Sequence, residues 1–340
     1  MSTSRTDQLK IDVFNHVLPK RYKDALDKAA PAYGQKAHND SLPTLWDMDH
    51  RFRIMDKYPG LMHVLTVSRP PIEEVVSNPK KAMDLTKLAN DEVAELVARY
   101  PDRFAAGIAA VALNNPDGTL VELERAITEL KFRGVQLYTD FIGKPLDSPE
   151  FMPIYEMMAR YNLPILLHPT TGITHAEYRG EDKPKYVTPS LFGWPYETTM
   201  ALARLVFGGI MEKWPNLKVV THHAGGMVAF YEQRIIAFLD EGERLHKGKR
   251  PFQLTKAPIH YFKMFYADTA LYGSTPGLVC ASAFFGIDHM LFATDSPFSG
   301  SYGERVTRQT IASIERMPVS EEDKRKIFEQ NARELMRLPI

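Results

Sequence analysis

Four places in this 340-residue chain set an imidazole or a carboxylate directly after a short apolar run. Ile11–Phe14 leads into Asn15-His16, Leu163–Leu167 into His168-Pro169, Leu217–Thr221 into His222-His223, and Met290–Ala293 into Thr294-Asp295-Ser296-Pro297. Three His and one Asp can hold a divalent cation, because neutral imidazole and carboxylate suit Zn²⁺ or Mn²⁺. A His left off the cation titrates near neutral pH and can act as general acid or base. Taken singly, a His at a strand end is most often a hydrogen-bonded loop residue, and Asp295 is equally at home as a turn cap. The joint placement of four such sites outweighs the bland reading. His38, His50, His63, His246, His260 and His289 read as surface or packing residues. His175 is the exception, because it lies in the long loop after His168.

The elements that must position these residues alternate along the chain. Short apolar runs at Ile11–Phe14, Leu61–Thr66, Phe104–Ala110, Gly134–Leu137, Leu163–Leu167, Leu217–Thr221, Phe265–Asp268 and Met290–Ala293 read as strands buried on both faces. Between them lie helical patterns at Lys81–Tyr100, Leu120–Lys131, Glu150–Tyr161, Glu197–Lys213, Met227–Glu241 and Glu321–Arg337. Eight such βα units fit a closed α/β architecture, the (β/α)₈ TIM barrel, as a single domain over residues 1–340. A doubly wound open sheet would alternate in the same way. In a barrel, all four polar strand ends meet at one mouth. Lys20–Leu45 and Thr170–Pro195 are too long for simple connections and would build that mouth.

Composition removes other classes. Lys plus Arg number 42, as do Asp plus Glu, so no basic surplus attracts nucleic acid or an anionic membrane. Cys280 is the one cysteine, which excludes an internal disulfide and suits a reducing compartment. No stretch approaches the roughly 20 apolar residues of a bilayer span, and the N-terminus has no signal-peptide core. A cytoplasmic, globular protein is expected. There is no G-x-G-x-x-G after a strand, no Walker loop and no G-x-S-x-G.

The order of these residues resembles the amidohydrolase superfamily, in the branch around aminocarboxymuconate-semialdehyde decarboxylase and the resorcylate and dihydroxybenzoate decarboxylases. Ile11–Pro19 is similar to an opening strand of the form I-D-x-H-x-H-x-L-P, and Asp47–Asp56 to the helix after it. Leu166–Pro169, Gly193–Thr199, Asn216–Gly226 with Phe230–Ile235, and Leu291–Phe298 match later segments. The resemblance implies that His16, His168 and Asp295 ligate a metal and that His223 is the catalytic His beside it, with His222 as its neighbour. It also implies that Arg234 reaches a neighbouring subunit's substrate, hence at least a homodimer. The chain departs from the pattern at Phe14, where the family carries a first ligand. Asp12 is no easy substitute, sitting about 7 Å further back along a strand. No arginine after the first strand clearly matches the extra substrate arginine of some members.

The resemblance implies a metal-dependent, non-oxidative decarboxylase of an aromatic or unsaturated carboxylic acid of hydroxybenzoate type. His223 or Asp295 would supply the proton, and Trp194, Tyr196 and Phe298 would wall the ring. A hydrolase of an amide or lactone, with or without metal, is the alternative. A third reading is a barrel that binds a ligand without catalysis.

Overall fold

The computed structural model describes all residues except 1–7, 171–177, 179, 246, 250 and 299. Eight strands carry the site: β1 (Lys10–Val17), β2 (Leu61–Val67), β3 (Phe104–Gly107), β4 (Val135–Tyr138), β5 (Ile165–His168), β6 (Val219–Thr221), β7 (Tyr266–Asp268) and β8 (Met290–Leu291). They pair in parallel as two ladders, β1-β2-β3 and β4-β5-β6-β7-β8. Single bridges join the ladders at both ends, Ala109 with Val135 and Asn15 with Ser296. At the second seam Val13 N donates to Phe292 O at 3.0 Å, Asp295 N to Phe14 O at 3.2 Å and His16 N to Ser296 O at 2.8 Å. These bonds close the barrel and exclude the open sheet.

Alternation along each strand separates two cores. Met62, Val64, Leu166, Val220, Leu291 and Ala293 pack together with Ile11, Val13 and Phe14 as the barrel interior. Their neighbours Leu65, Ile165, Leu167, Val219, Met290 and Phe292 belong to the larger core between strands and helices. Strand period two is the cause: each step turns the side chain to the other face. β1 breaks the period, because its register with β2 shifts between Asp12 and Asn15. Such a bulge re-aims the side chains beyond it. It brings Phe14 into the interior beside Val13 and leaves His16 two residues further on.

The longer helices are α1 (Lys20–Ala29), α2 (Met48–Met55), α3 (Pro79–Arg99), α4 (Pro116–Thr128), α5 (Met152–Tyr161), α6 (Trp194–Phe207), α7 (Glu232–Leu245), α8 (Thr275–Phe285) and α9 (Glu304–Glu315). The expected Lys81–Tyr100 helix starts two residues early, since Asn78 caps Lys81 N at 3.0 Å and Pro79 fits the first turn. The expected Met227–Glu241 helix starts only at Glu232, because the chain first turns through positive φ at Gly225 and Gly226. Glu321–Arg337 is interrupted by a wider turn at Lys326–Gln330. Beyond that turn, Ala332, Leu335, Met336 and Leu338 join the interior cluster.

Candidate active site

The interior phase of each strand runs on into its polar end. Two residues past Leu166 stands His168, two past Val220 stands His222, and two past Ala293 stands Asp295; His16 is two past Phe14. These four side chains are buried, and one donor atom from each lies within 4.8 Å of all the others. His16 Nε2 is 3.1 Å from Asp295 Oδ1, and His222 Nε2 is 3.4 Å from the same oxygen.

Each imidazole is fixed through its other nitrogen. Nδ1 of His16 meets Thr66 Oγ1 at 3.0 Å, Nδ1 of His168 meets Pro169 O at 2.6 Å, and Nδ1 of His222 bonds to the Asp268 carboxylate. Asp268 is held in turn by Ala224 N and Ala270 N, both at 3.1 Å. Oxygen partners on Nδ1 leave Nε2 to point inward, as they do behind metal-ligating histidines. His222 Nε2 is buried and has no hydrogen-bond partner. An orphaned donor among two more imidazoles and a carboxylate fits a divalent cation.

Electrostatics agree with that fit. Burial opposes ionisation of Asp295, but the surrounding imidazoles of His16, His222 and His223 outweigh it and hold the carboxyl well below its ordinary range. Burial likewise opposes charge on His222, yet Asp268 and Asp295 raise it to about 10. The same negative field would hold a divalent cation. His16, His168 and His223 are all pushed down, first by burial.

His223 reaches the cluster by another route. A regular strand would turn it away from His222, but His223 and Ala224 both take positive φ, at 53°. The chain curls, and the two rings lie 4.0 Å apart. His223 Nε2 is 3.8 Å from Asp295 Oδ2, and its ring is parallel to Trp194 to within 10° at 6.3 Å. Phe298 lies in the loop after β8, 5.4 Å from the His16 ring. Trp194 and Phe298 are thus brought to the site. Tyr196 is 58% exposed on α6. Arg234 is exposed on α7 with its guanidinium 4.4 Å over Phe238, away from the cluster within this chain. His175 and His246 lie outside the described residues.

Sequence reasoning set His222 aside as a neighbour; the geometry places it inside the donor cluster. It also passed over Asp268 and Tyr272. Tyr272, at φ 51°, donates to Asp295 Oδ2 and so occupies the oxygen that faces His223. Asp12 stays apart from the cluster, accepting from Thr294 Oγ1 at 2.5 Å and Asn15 Nδ2 at 2.8 Å. Beneath it, the buried Arg51 of α2 donates to Asn15 Oδ1 and to His16 O, with Nη1 3.2 Å from His63 Nδ1. Burial and Arg51 push His63 well down, in keeping with a packing residue.

The amidohydrolase family model matches residues 11–338. The chain belongs to this amidohydrolase family. Among its relatives is a 2-amino-3-carboxymuconate-6-semialdehyde decarboxylase of Dictyostelium discoideum, 29% identical over 97% of this chain and 92% of that one. A gamma-resorcylate decarboxylase of Rhizobium radiobacter is 27% identical, covering 84% of this chain and 88% of the relative. Among solved amidohydrolase-type structures, a Polaromonas dihydroxybenzoic acid decarboxylase with bound manganese and 2-nitroresorcinol superposes with a TM-score of 0.77. It is 25% identical, covering 97% of each chain. Among the described residues no helix is long and apolar enough to cross a membrane.

Proposed function

We propose that this protein is a metal-dependent, non-oxidative decarboxylase of an aromatic or unsaturated carboxylic acid of hydroxybenzoate type. The observation that carries the reading is the buried His16, His168, His222 and Asp295 cluster with His223 alongside, in a chain whose relatives are decarboxylases. Those four residues would hold the cation, and manganese is favoured over zinc by the Polaromonas relative. When bound, the cation would fix the substrate's carboxylate and adjacent hydroxyl and draw off their charge.

The remaining steps belong to the chain itself. His223, protonated on Nε2, gives its proton to the ring carbon that bears the carboxylate. A C–H bond forms at the expense of the ring's π electrons. The C–C bond to the carboxylate then breaks, its electron pair restores the ring, and CO₂ leaves. His223 ends neutral and takes its next proton from solvent. Burial lowers its affinity for that proton, which makes it a willing donor. Asp295 Oδ2 and Tyr272 steady it, and Trp194 and Phe298 flank the ring.

Phe14 leaves the expected ligand set one short, which would favour the hydrolase alternative. His222 as fourth donor would make up that deficit. The test is incubation with a panel of hydroxybenzoates: CO₂ and the corresponding phenol are expected, in a reaction stopped by chelator and restored by Mn²⁺. Lactone or amide turnover without CO₂ would overturn the reading. Thermal stabilisation by such ligands with no turnover would favour the binder.

The proposed assembly is a homodimer of single-domain chains, residues 1–340, in the cytoplasm. Phe230, Arg234 and Phe238 recur at four-residue steps, and α7 buries none of its own residues. Phe230 is 75% and Phe238 62% exposed. A partner's surface is the natural cover for that stripe. Phe238→Glu should shift the sedimentation coefficient from dimer to monomer.

A further inference from the structure

Arg69 follows β2 and is 8% exposed. Its Nη2 donates to Thr170 O at 2.7 Å, and its guanidinium lies 5.0 Å from the centre of the Trp194 ring. Trp194 is also the plate parallel to His223, so one indole faces both the guanidinium and the proposed proton donor. The Nε–H of Arg69 is buried and meets no acceptor. Nearby carboxylates act on it only through space, and they are engaged elsewhere. Glu197 accepts from Thr139 and from Thr170 N, and Glu74 accepts from Thr170 Oγ1. A guanidinium stays charged, so a buried one with an idle N–H calls for an anion.

The carboxylate that departs is already assigned to the cation that His16, His168, His222 and Asp295 would hold. Arg69 is left for an anionic group that remains with the product. We infer that Arg69 is the specificity residue for a second, retained carboxylate, and that the substrate is an aromatic or unsaturated dicarboxylic acid. The inference rests on the decarboxylase reading for the class of reaction, but the placement of the anion is tested without turnover.

Titration calorimetry on the metal-loaded protein with 3-hydroxybenzoate and 3-hydroxybenzamide compares two ligands of one shape that differ in charge. Wild type should prefer the acid by about tenfold or more, as a charge-assisted pair requires. Arg69→Gln should erase the preference while holding the amide within about twofold, and Arg69→Lys should keep part of it. Thermal melts check that both variants fold. The inference is overturned if wild type shows no preference or binds neither ligand. It is equally overturned if Arg69→Gln keeps the preference, which would send the anion to the metal cluster, or weakens both ligands alike, which would make Arg69 structural. Failure of CO₂ release with this preference intact would instead overturn the decarboxylase reading.

Discussion

The ring of Phe14 lies against the imidazole of His222, centroids 4.2 Å apart and planes 29° from parallel. An apolar side chain thus stands where the resemblance implies a ligand, and it packs on the imidazole that would complete the donor set. Phe14 is fully buried. Phe14→Ala should cost about 3–5 kcal/mol of stability through the cavity it leaves, and let the His222 ring drift. Urea denaturation of chelator-treated protein reads the first effect, and Mn²⁺ titration the second. A variant as stable as wild type would mean the barrel collapses around the gap.

His222 and His223 separate by experiment. Metal analysis should give roughly one equivalent for wild type and under about a tenth for His222→Gln, because three donors hold a cation far less well than four. Asp268→Asn, which removes the carboxylate behind His222, should weaken metal binding by about 10–100-fold. Full metal occupancy in His222→Gln would put that residue outside the donor set.

His223→Gln should keep its metal and lose catalysis, with CO₂ release falling by about 10²–10⁴-fold. Unchanged turnover would remove His223 as the proton donor and leave Tyr272 or Asp295 to take the role.

Glu73 makes a pH prediction that involves none of the cluster residues. It is 5% exposed, its Oε2 has no partner, and burial raises its pKa from 4.5 to about 7, with Glu74 adding to the rise. Tyr22 and Tyr138 also feel its charge. A carboxyl raised on folding ionises first in the unfolded chain, so stability falls as pH climbs from about 4.5 and levels off above about 7. The loss is about 3 kcal/mol in all. Glu73→Gln cannot ionise, so it should match wild type near pH 4.5 and exceed it near pH 8 in urea melts. Parallel pH profiles for the two proteins would contradict this.

Much of the barrel is legible from sequence, because strands buried on both faces write themselves as apolar runs. His16, His168 and Asp295 stand out for that reason: each breaks such a run at its end. His222 was equally legible, since counting in twos from Val220 puts it inside, whereas matching to the family's pattern favoured His223. That both reach the site depends on two residues at positive φ, which no periodicity announces. Asp268 ends a strand like the others, but a carboxylate whose only task is to hold an imidazole has no signature of its own. Arg69 hides for a related reason: what marks it is an N–H without an acceptor, a property of packing. α1 and α9 are amphipathic, and their pattern is legible in the sequence although few apolar residues carry it.

The bond between His16 and Asp295 spans 279 residues of sequence and lies on the seam where the first and last strands meet. A growing chain therefore carries His16 for most of its synthesis before Asp295, the last of the proposed donors, is made. The cation's nest appears only when the final strand docks, so a fragment lacking the last fifty or so residues would be blind to metal. By mass action, a cation that binds only the finished ring draws the seam shut. Metal supply would then set how long the newly made protein stays closed as well as how fast it turns over.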